Sequence, residues 1–322
     1  MAMRQKCILV VFLIFCFSNV LYAGGKIKLK VFHAGSLSVP FAKLESVFEN
    51  KYPQIDVRRE ASGSVQAVRK VTDLGKACDV IAVADYEIIP KMMFPYYADY
   101  VKLFARNEIV LCYTGKSRCK EKINSKNWYK ILSKPDVKWG FSNPNDDPCG
   151  YRTLMTIALA SIYYKKPDLF ISLLKNFPII YKSDQNNIFI ELKKDLQTKK
   201  GIFIRSKSVE LIGLLESGAI DYAFEYKSVA KQHKLFYIDL PKEINLGDFS
   251  YKDFYAKVRI KLKTGIIIKA KPIIYGITVL KNAIHPEEAR LWEMFVTGND
   301  GIKILKECFQ IPIFPTKEIR YK

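Results

Sequence analysis

Histidine and tryptophan are scarce, with three of each among 322 residues. The three histidines, His33, His233 and His285, stand far apart and leave little scope for a zinc site or a histidine-based catalytic apparatus. No C-x-x-C, H-E-x-x-H, G-x-S-x-G or P-loop pattern occurs, which removes the commonest dithiol, zinc-protease, serine-hydrolase and nucleotide-binding signatures. Beyond the first 23 residues no stretch approaches the roughly 20 apolar residues of a spanning helix. Acidic residues are also in deficit, 32 Asp and Glu against 52 Lys and Arg. Five cysteines follow residue 23: Cys78, Cys112, Cys119, Cys149 and Cys308. Being odd in number and widely spaced, they predict one disulfide at most.

What is present is a globular composition, 49% hydrophobic and 26% charged, and at about 150 residues per domain a length suited to two domains. The net charge of +20, or +18 without Arg4 and Lys6, points to three partner classes: nucleic acid, an anionic surface, or small anions drawn by a long-range field. Location decides among them. Arg4 and Lys6 precede an apolar run from Cys7 to Phe17, followed by small and polar residues up to Ala23 and Gly24. This reads as a secretory signal peptide over residues 1–23, cleaved after Ala23 or, because Leu21 suits the cleavage site poorly, kept as an anchor. Either way the body is expected outside the cytoplasm, away from nucleic acid.

Along the body, strands alternate with amphipathic helices, the signature of an α/β protein with mixed, mostly parallel sheets. Strands are expected at Ile27–Phe32, Gln54–Arg58 and Asp79–Val83, and helices from Pro40 to about Tyr52 and Val65 to about Leu74. The long apolar run Phe104–Tyr113 reads as one strand crossing into a second lobe, and Leu235–Leu240 as the return. The expected division is a first lobe of residues 24–105 plus 240–322 and a second of 106–239, with a hinge of crossing strands and a binding cleft between them. Ile188 to about Thr198 has helical potential, and the lysine-rich 249–271 segment reads as a solvated hairpin.

Four strands run into a turn that opens a helix: Gly35-Ser36, Ser62-Gly63-Ser64, Asp147-Pro148-Cys149-Gly150 and Ser208. Each offers unpaired N–H groups and the positive end of a helix dipole, and serine adds a hydroxyl donor, so convergence would make an anion cradle. Taken singly, each is equally well a cap. Asp147 would repel a small anion unless that anion contains a high-valent metal centre able to accept an oxygen donor; otherwise it too is a cap. His33 reads as a satisfied structural histidine. Cys149 lacks a base nearby in sequence to make it a nucleophile. Asp79 and Asp85, which bracket a strand, read as edge or turn residues. The Tyr226 hydroxyl could reach a cleft or stay in the core.

Five runs, Phe32–Leu37, Ala61–Ser64, Asp79–Asp85, Asn143–Arg152 (NPNDDPCGYR) and Asp221–Ser228, resemble the archaeal-type tungstate/molybdate-binding proteins of ABC importers. The resemblance covers nearly the whole body and is most specific in the Asn143–Arg152 run. It implies a type II periplasmic-binding-protein fold that closes on tungstate or molybdate and presents it to a membrane permease, as a monomer with neither cofactor nor catalysis. It further implies hydrogen bonds to the oxyanion from Ser36 and Ser64, Asp147 on the metal centre, backbone groups of Pro148 and Cys149 nearby, and Tyr226 completing the site. One departure stands out: the second carboxylate of that family falls on Ser208 here. Glu210, two residues on, could reach the site if the helix start shifts, whereas strand alternation should turn Glu225 away from Tyr226. The departure leaves another oxyanion, sulfate or phosphate, as an alternative ligand. A secreted hydrolase and a cationic surface-adhesion protein are the readings from other classes.

Overall fold

The computed structural model describes residues 25–184 and 187–321, so the expected signal segment 1–23 lies outside the described residues. Ile27–Ala34 lies between Ile55–Ser62 and Val80–Val83, parallel to both. Helices Ser38–Lys51 and Ser64–Thr72 make the crossovers. Phe41, Leu44 and Phe48 recur at helical spacing, so the first helix buries one stripe, and the edges of Phe41 and Phe48 meet Trp292 at centroid distances of 5.8 and 5.1 Å. Ile273–Val279, from beyond the chain's excursion, pairs antiparallel with Val80–Val83, Tyr100–Asn107, the last strand before the excursion, pairs antiparallel with it in turn, and Ile311–Arg320 closes the edge.

The apolar run expected as one strand breaks at Glu108. Tyr100–Asn107 ends in the six-stranded sheet, and Ile109–Tyr113 begins a five-stranded one, flanked by Phe236–Asp239 and Tyr222–Tyr226 and continued by Trp139–Ser142 and Ile202–Arg205. Asn107 secures the crossing: its amide group donates to Ser228 Oγ (2.7 Å) and the Tyr275 hydroxyl (3.1 Å), and its oxygen accepts from the Glu108 N–H (3.1 Å). The second core is aromatic as well, with Trp128, Trp139, Phe141 and Phe224 all buried. Helix Pro148–Tyr163 is buried over nearly its whole length, as its continuous apolar composition requires.

Three expectations need correction. Ile188–Thr198 is not helical: Asn187–Leu192 is a strand with Ile188, Ile190 and Leu192 buried at period two, paired antiparallel with Ile179–Asp184 and parallel with Val258–Lys261. The 249–271 segment does form a hairpin, Val258–Lys261 with Ile267–Lys269, but not a solvated one, because Val258, Ile260, Leu262 and Ile268 turn inward while Arg259, Lys263 and Lys269 face out. These strands make a third, four-stranded sheet. Parallel pairing holds only part of each sheet, and antiparallel pairs take over where the chain crosses between them. The five cysteines after residue 23 are all free, so the allowance for one disulfide is not used among the described residues.

Candidate functional site at the junction of two sheets

Asn143–Asp146 forms the turn ahead of helix Pro148–Tyr163, and Asp147 caps it. Proline at the first helical position costs no hydrogen bond, since its N–H would be unpaired there. Asp147 is 4% exposed; one carboxylate oxygen accepts from the Cys149 N–H (3.3 Å) and the other from the Ser208 N–H (2.8 Å). Burial pushes this carboxyl above its usual range, and the two N–H groups oppose the shift. Ser208 thus gives its N–H to Asp147 while its carbonyl accepts from the Leu211 N–H (2.9 Å) at the start of its own helix, which begins at Glu210 with Val209 at the cap position.

The two other turns approach from the six-stranded sheet. Val65 and Gln66, in the first turn of helix Ser64–Thr72, donate their N–H groups to the Asp146 carbonyl at 3.0 and 3.2 Å. Gly63 packs so closely there that a Cβ would stand 2.3 Å from that oxygen. Gly35 likewise faces Val209 and Lys207. Ser36 and Ser64 are buried; Ser36 shares a 3.0 Å hydrogen bond with the Tyr275 hydroxyl, and Ser64 Oγ accepts from the Ala84 N–H at 2.9 Å. Tyr226, fully buried, has its ring 6.0 Å from that of Tyr275. Gly35, Ser36, Ser64, Asp147, Pro148, Cys149, Ser208 and Tyr226 thus belong to one connected neighbourhood.

Glu210 does not join them: it is exposed, with Lys207 3.9 Å away. Glu225, one position before Tyr226 on a strand in regular register, is buried at the junction as well. It is 2% exposed, its Oε1 accepts from the Tyr226 N–H at 2.9 Å, and Asp147 and Ser208 are among the groups that set its protonation. Strand Tyr222–Tyr226 ends at this point, so both neighbouring side chains remain near the junction. His33 is sealed in, sharing a 2.8 Å contact with the Ala34 carbonyl, and burial lowers its pKa to about 4, as suits a structural residue. Burial pushes the Cys149 thiol well above its usual value.

Arg152 and Asp85 carry more of the junction than their sequence positions disclosed. Arg152 Nη1 donates to the Ala84 carbonyl (2.7 Å) and the Tyr226 hydroxyl (2.8 Å), and Nη2 stands 3.4 Å from Asp85. The Tyr151 hydroxyl donates to Asp85 at 2.6 Å. Burial opposes the charge on Asp85, but Lys271 and Arg152 outweigh it and hold the carboxyl well below the usual range. Arg152 lies in the Asn143–Arg152 run, which was the available signal; Asp85, placed above among turn residues, is instead a buried ionic anchor between the sheets.

Polar groups are left over here. The Ser62 and Ser142 hydroxyls, Arg152 Nη2 and Glu225 Oε2 are buried without a hydrogen-bond partner, and all belong to segments that meet at the junction. Such groups are costly in an apolar interior. Backbone N–H groups at helix starts, hydroxyls, a guanidinium and a capped carboxylate suit a small polar anion. Among the described residues no group of three His, Cys, Asp or Glu side chains gathers that could hold a metal ion.

Two main sheets joined by crossing strands, with a polar junction between them, make the type II periplasmic-binding-protein fold, and solved structures agree. The periplasmic molybdate-binding protein of Azotobacter vinelandii superposes with a TM-score of 0.60 over 90% of this chain and 100% of its own, at 14% identity. The sulfate-binding protein SubI of Mycobacterium tuberculosis gives 0.61 over 90% and 88%, at 11% identity. At such identities the likeness concerns the fold. Residues 29–308 match the family described as bacterial extracellular solute-binding protein, and the chain belongs to that family. Among its relatives, the molybdate/tungstate-binding protein WtpA of Pyrococcus abyssi is 51% identical over 293 residues, 88% of this chain and 84% of the relative. WtpA of Thermococcus kodakarensis is 49% identical over 289 residues, 87% and 80% of the two chains. A solute-binding protein of Staphylothermus marinus is 48% identical over 286 residues, 86% and 81%.

Proposed function

We propose that this chain is an extracytoplasmic solute-binding protein that captures tungstate or molybdate and hands it to the permease of an ABC importer, acting as a monomer, without catalysis and without a resident cofactor. The two lobes, residues 24–105 with 240–322 and residues 106–239, close on the anion. The observation that carries this reading is the convergence of Ser36, Ser64, Asp147, Cys149 and Ser208 from both sheets on one buried junction that holds unpartnered polar atoms. The names of the relatives that align over most of the chain support the choice of ligand.

In this reading the ordered N–H and O–H donors replace the water shell of the anion, pre-organised by the turns and so without reorganisation on binding. Ser36, Ser64 and the Tyr226 hydroxyl address the oxygens, as does the Cys149 N–H, while Pro148, which has no N–H to donate, only opens the helix beside them. Asp147, held by two N–H groups, addresses the metal centre, which an oxyanion of sulfur does not offer to an oxygen donor. Gly35 lets the first turn approach closely. Calorimetry on purified protein tests the assignment: tungstate and molybdate bind, excess sulfate does not displace them, and Asp147→Ala lowers affinity by at least about tenfold. Unchanged binding by the variant would remove Asp147 from the site.

A second reading has one residue in its favour. Ser208, a hydroxyl in place of a second carboxylate, suits a sulfate- or phosphate-like anion, and displacement of tungstate by equimolar sulfate would support it.

A further inference from the structure

Glu225 is a buried acid without a finished set of partners. Oε1 is taken by the Tyr226 N–H at 2.9 Å, while Oε2 is buried with none. The ionisable groups that face it are Cys112 from strand Ile109–Tyr113, Asp147 and Cys149 at the start of helix Pro148–Tyr163, and Tyr275 from Ile273–Val279. None is a cation, and Asp147 is an acid that disfavours a second negative charge. Arg152, the buried cation of the junction, is committed to the Ala84 carbonyl, the Tyr226 hydroxyl and Asp85. The Ser208 hydroxyl lies on the Glu225 side of the same turn whose N–H holds Asp147.

An unsatisfied buried oxygen beside a carboxylate accounts for itself in one of two ways. As a carboxylate it needs a donor, and the one beside it is the Ser208 hydroxyl, for which the bound anion competes, while a fully deprotonated oxyanion brings none of its own. As a carboxylic acid it is itself a donor and needs an acceptor, which every oxygen of an oxyanion provides. Taking the tungstate/molybdate reading as its basis, we propose that Glu225 is a further ligand-contacting residue of this site, a neutral acid whose O–H donates to an oxygen of the bound oxyanion on the Ser208 side. A proton held there removes the repulsion that a second carboxylate would exert on the anion at low dielectric. The same placement predicts the protonation: burial, with Asp147 adding to it against the Ser208 and Tyr226 groups, raises the carboxyl to about 8.

The test compares two variants of similar size by calorimetry with tungstate, their folding checked by thermal unfolding. Glu225→Gln keeps a donor and binds within about threefold of the unaltered protein at pH 7, whereas Glu225→Met, which fills the space without one, binds at least about tenfold more weakly. Affinity of the unaltered protein falls as pH rises above about 8, where the donor proton is lost, and that of Glu225→Gln does not. Burial pushes both thiols facing the group well above their usual range, so they do not produce this fall. Met binding as tightly as Gln, or both variants keeping the fall above pH 8, overturns the role of Glu225 while leaving the oxyanion site in place. Absence of tungstate binding by the unaltered protein overturns both.

Discussion

Arg152 is 2% exposed and charged, a combination that is costly unless the charge is paired. Its partners are the Tyr226 hydroxyl in its own half and the Ala84 carbonyl and Asp85 in the other, so the last two contacts exist only while the two halves are together. Breaking a buried ion pair from one side costs about 3–5 kcal/mol. On the clamshell reading that cost falls on the closed state alone, where Arg152→Met leaves Asp85 with Lys271 as its cation. The expected outcome is tungstate affinity weakened by about a hundredfold or more, with the unfolding temperature of the ligand-free protein little changed. Equal affinity would show that the pair has no part in closure. Asp147 was legible in the sequence because a cap, a proline and a strand end are local features. Asp85 was not, because its cation comes from a helix 67 residues on and nothing in its own turn announces it.

Elements carry the approach of the halves. Helix Ser64–Thr72 begins at a glycine with φ −60° and ψ 143°, a conformation open to any residue, so Gly63 is not required by its own backbone. It is required by its neighbour: a Cβ would lie 2.3 Å from the Asp146 carbonyl of the opposite turn. Gly63→Ala should therefore fold as before yet resist closure. Calorimetry should register a loss of affinity of about tenfold or more, and small-angle scattering with saturating tungstate a less compact particle than the unaltered protein gives. Helix starts of this kind were readable in advance, because a strand, a Ser/Gly turn and an apolar stripe follow each other locally. Asn187–Leu192 was misread for the converse reason. Its alternating Ile188, Ile190 and Leu192 run into Lys193 and Lys194, and pairing with a strand some 70 residues away decides its conformation. The 249–271 hairpin was misplaced likewise: its lysines were counted, but the inward row of Val258, Ile260 and Ile268 needed the partner strand to give it meaning.

At the scale of the whole molecule, the net charge of +20 draws small anions toward the protein but does not choose among them. In the proposed reading, selection rests on the junction between the sheets, where dipolar helix starts and hydroxyls meet around Asp147. The fold class and the excursion of the chain into a second sheet could be read from the order of strands and helices, since the outward crossing lies in an apolar run, whereas Phe236–Asp239, read as the return, still pairs within the second sheet. The closeness of the four turns could not, because it arises from two crossings more than 120 residues apart that only the folded chain brings together. The most direct measurement is a crystal structure grown with tungstate and recorded at the tungsten absorption edge. The account predicts one strong anomalous peak within coordination reach of Asp147 and bounded by Ser36, Ser64, Cys149 and Ser208. A protein that binds no tungsten there, or carries it only on its lysine-rich exterior, would contradict it.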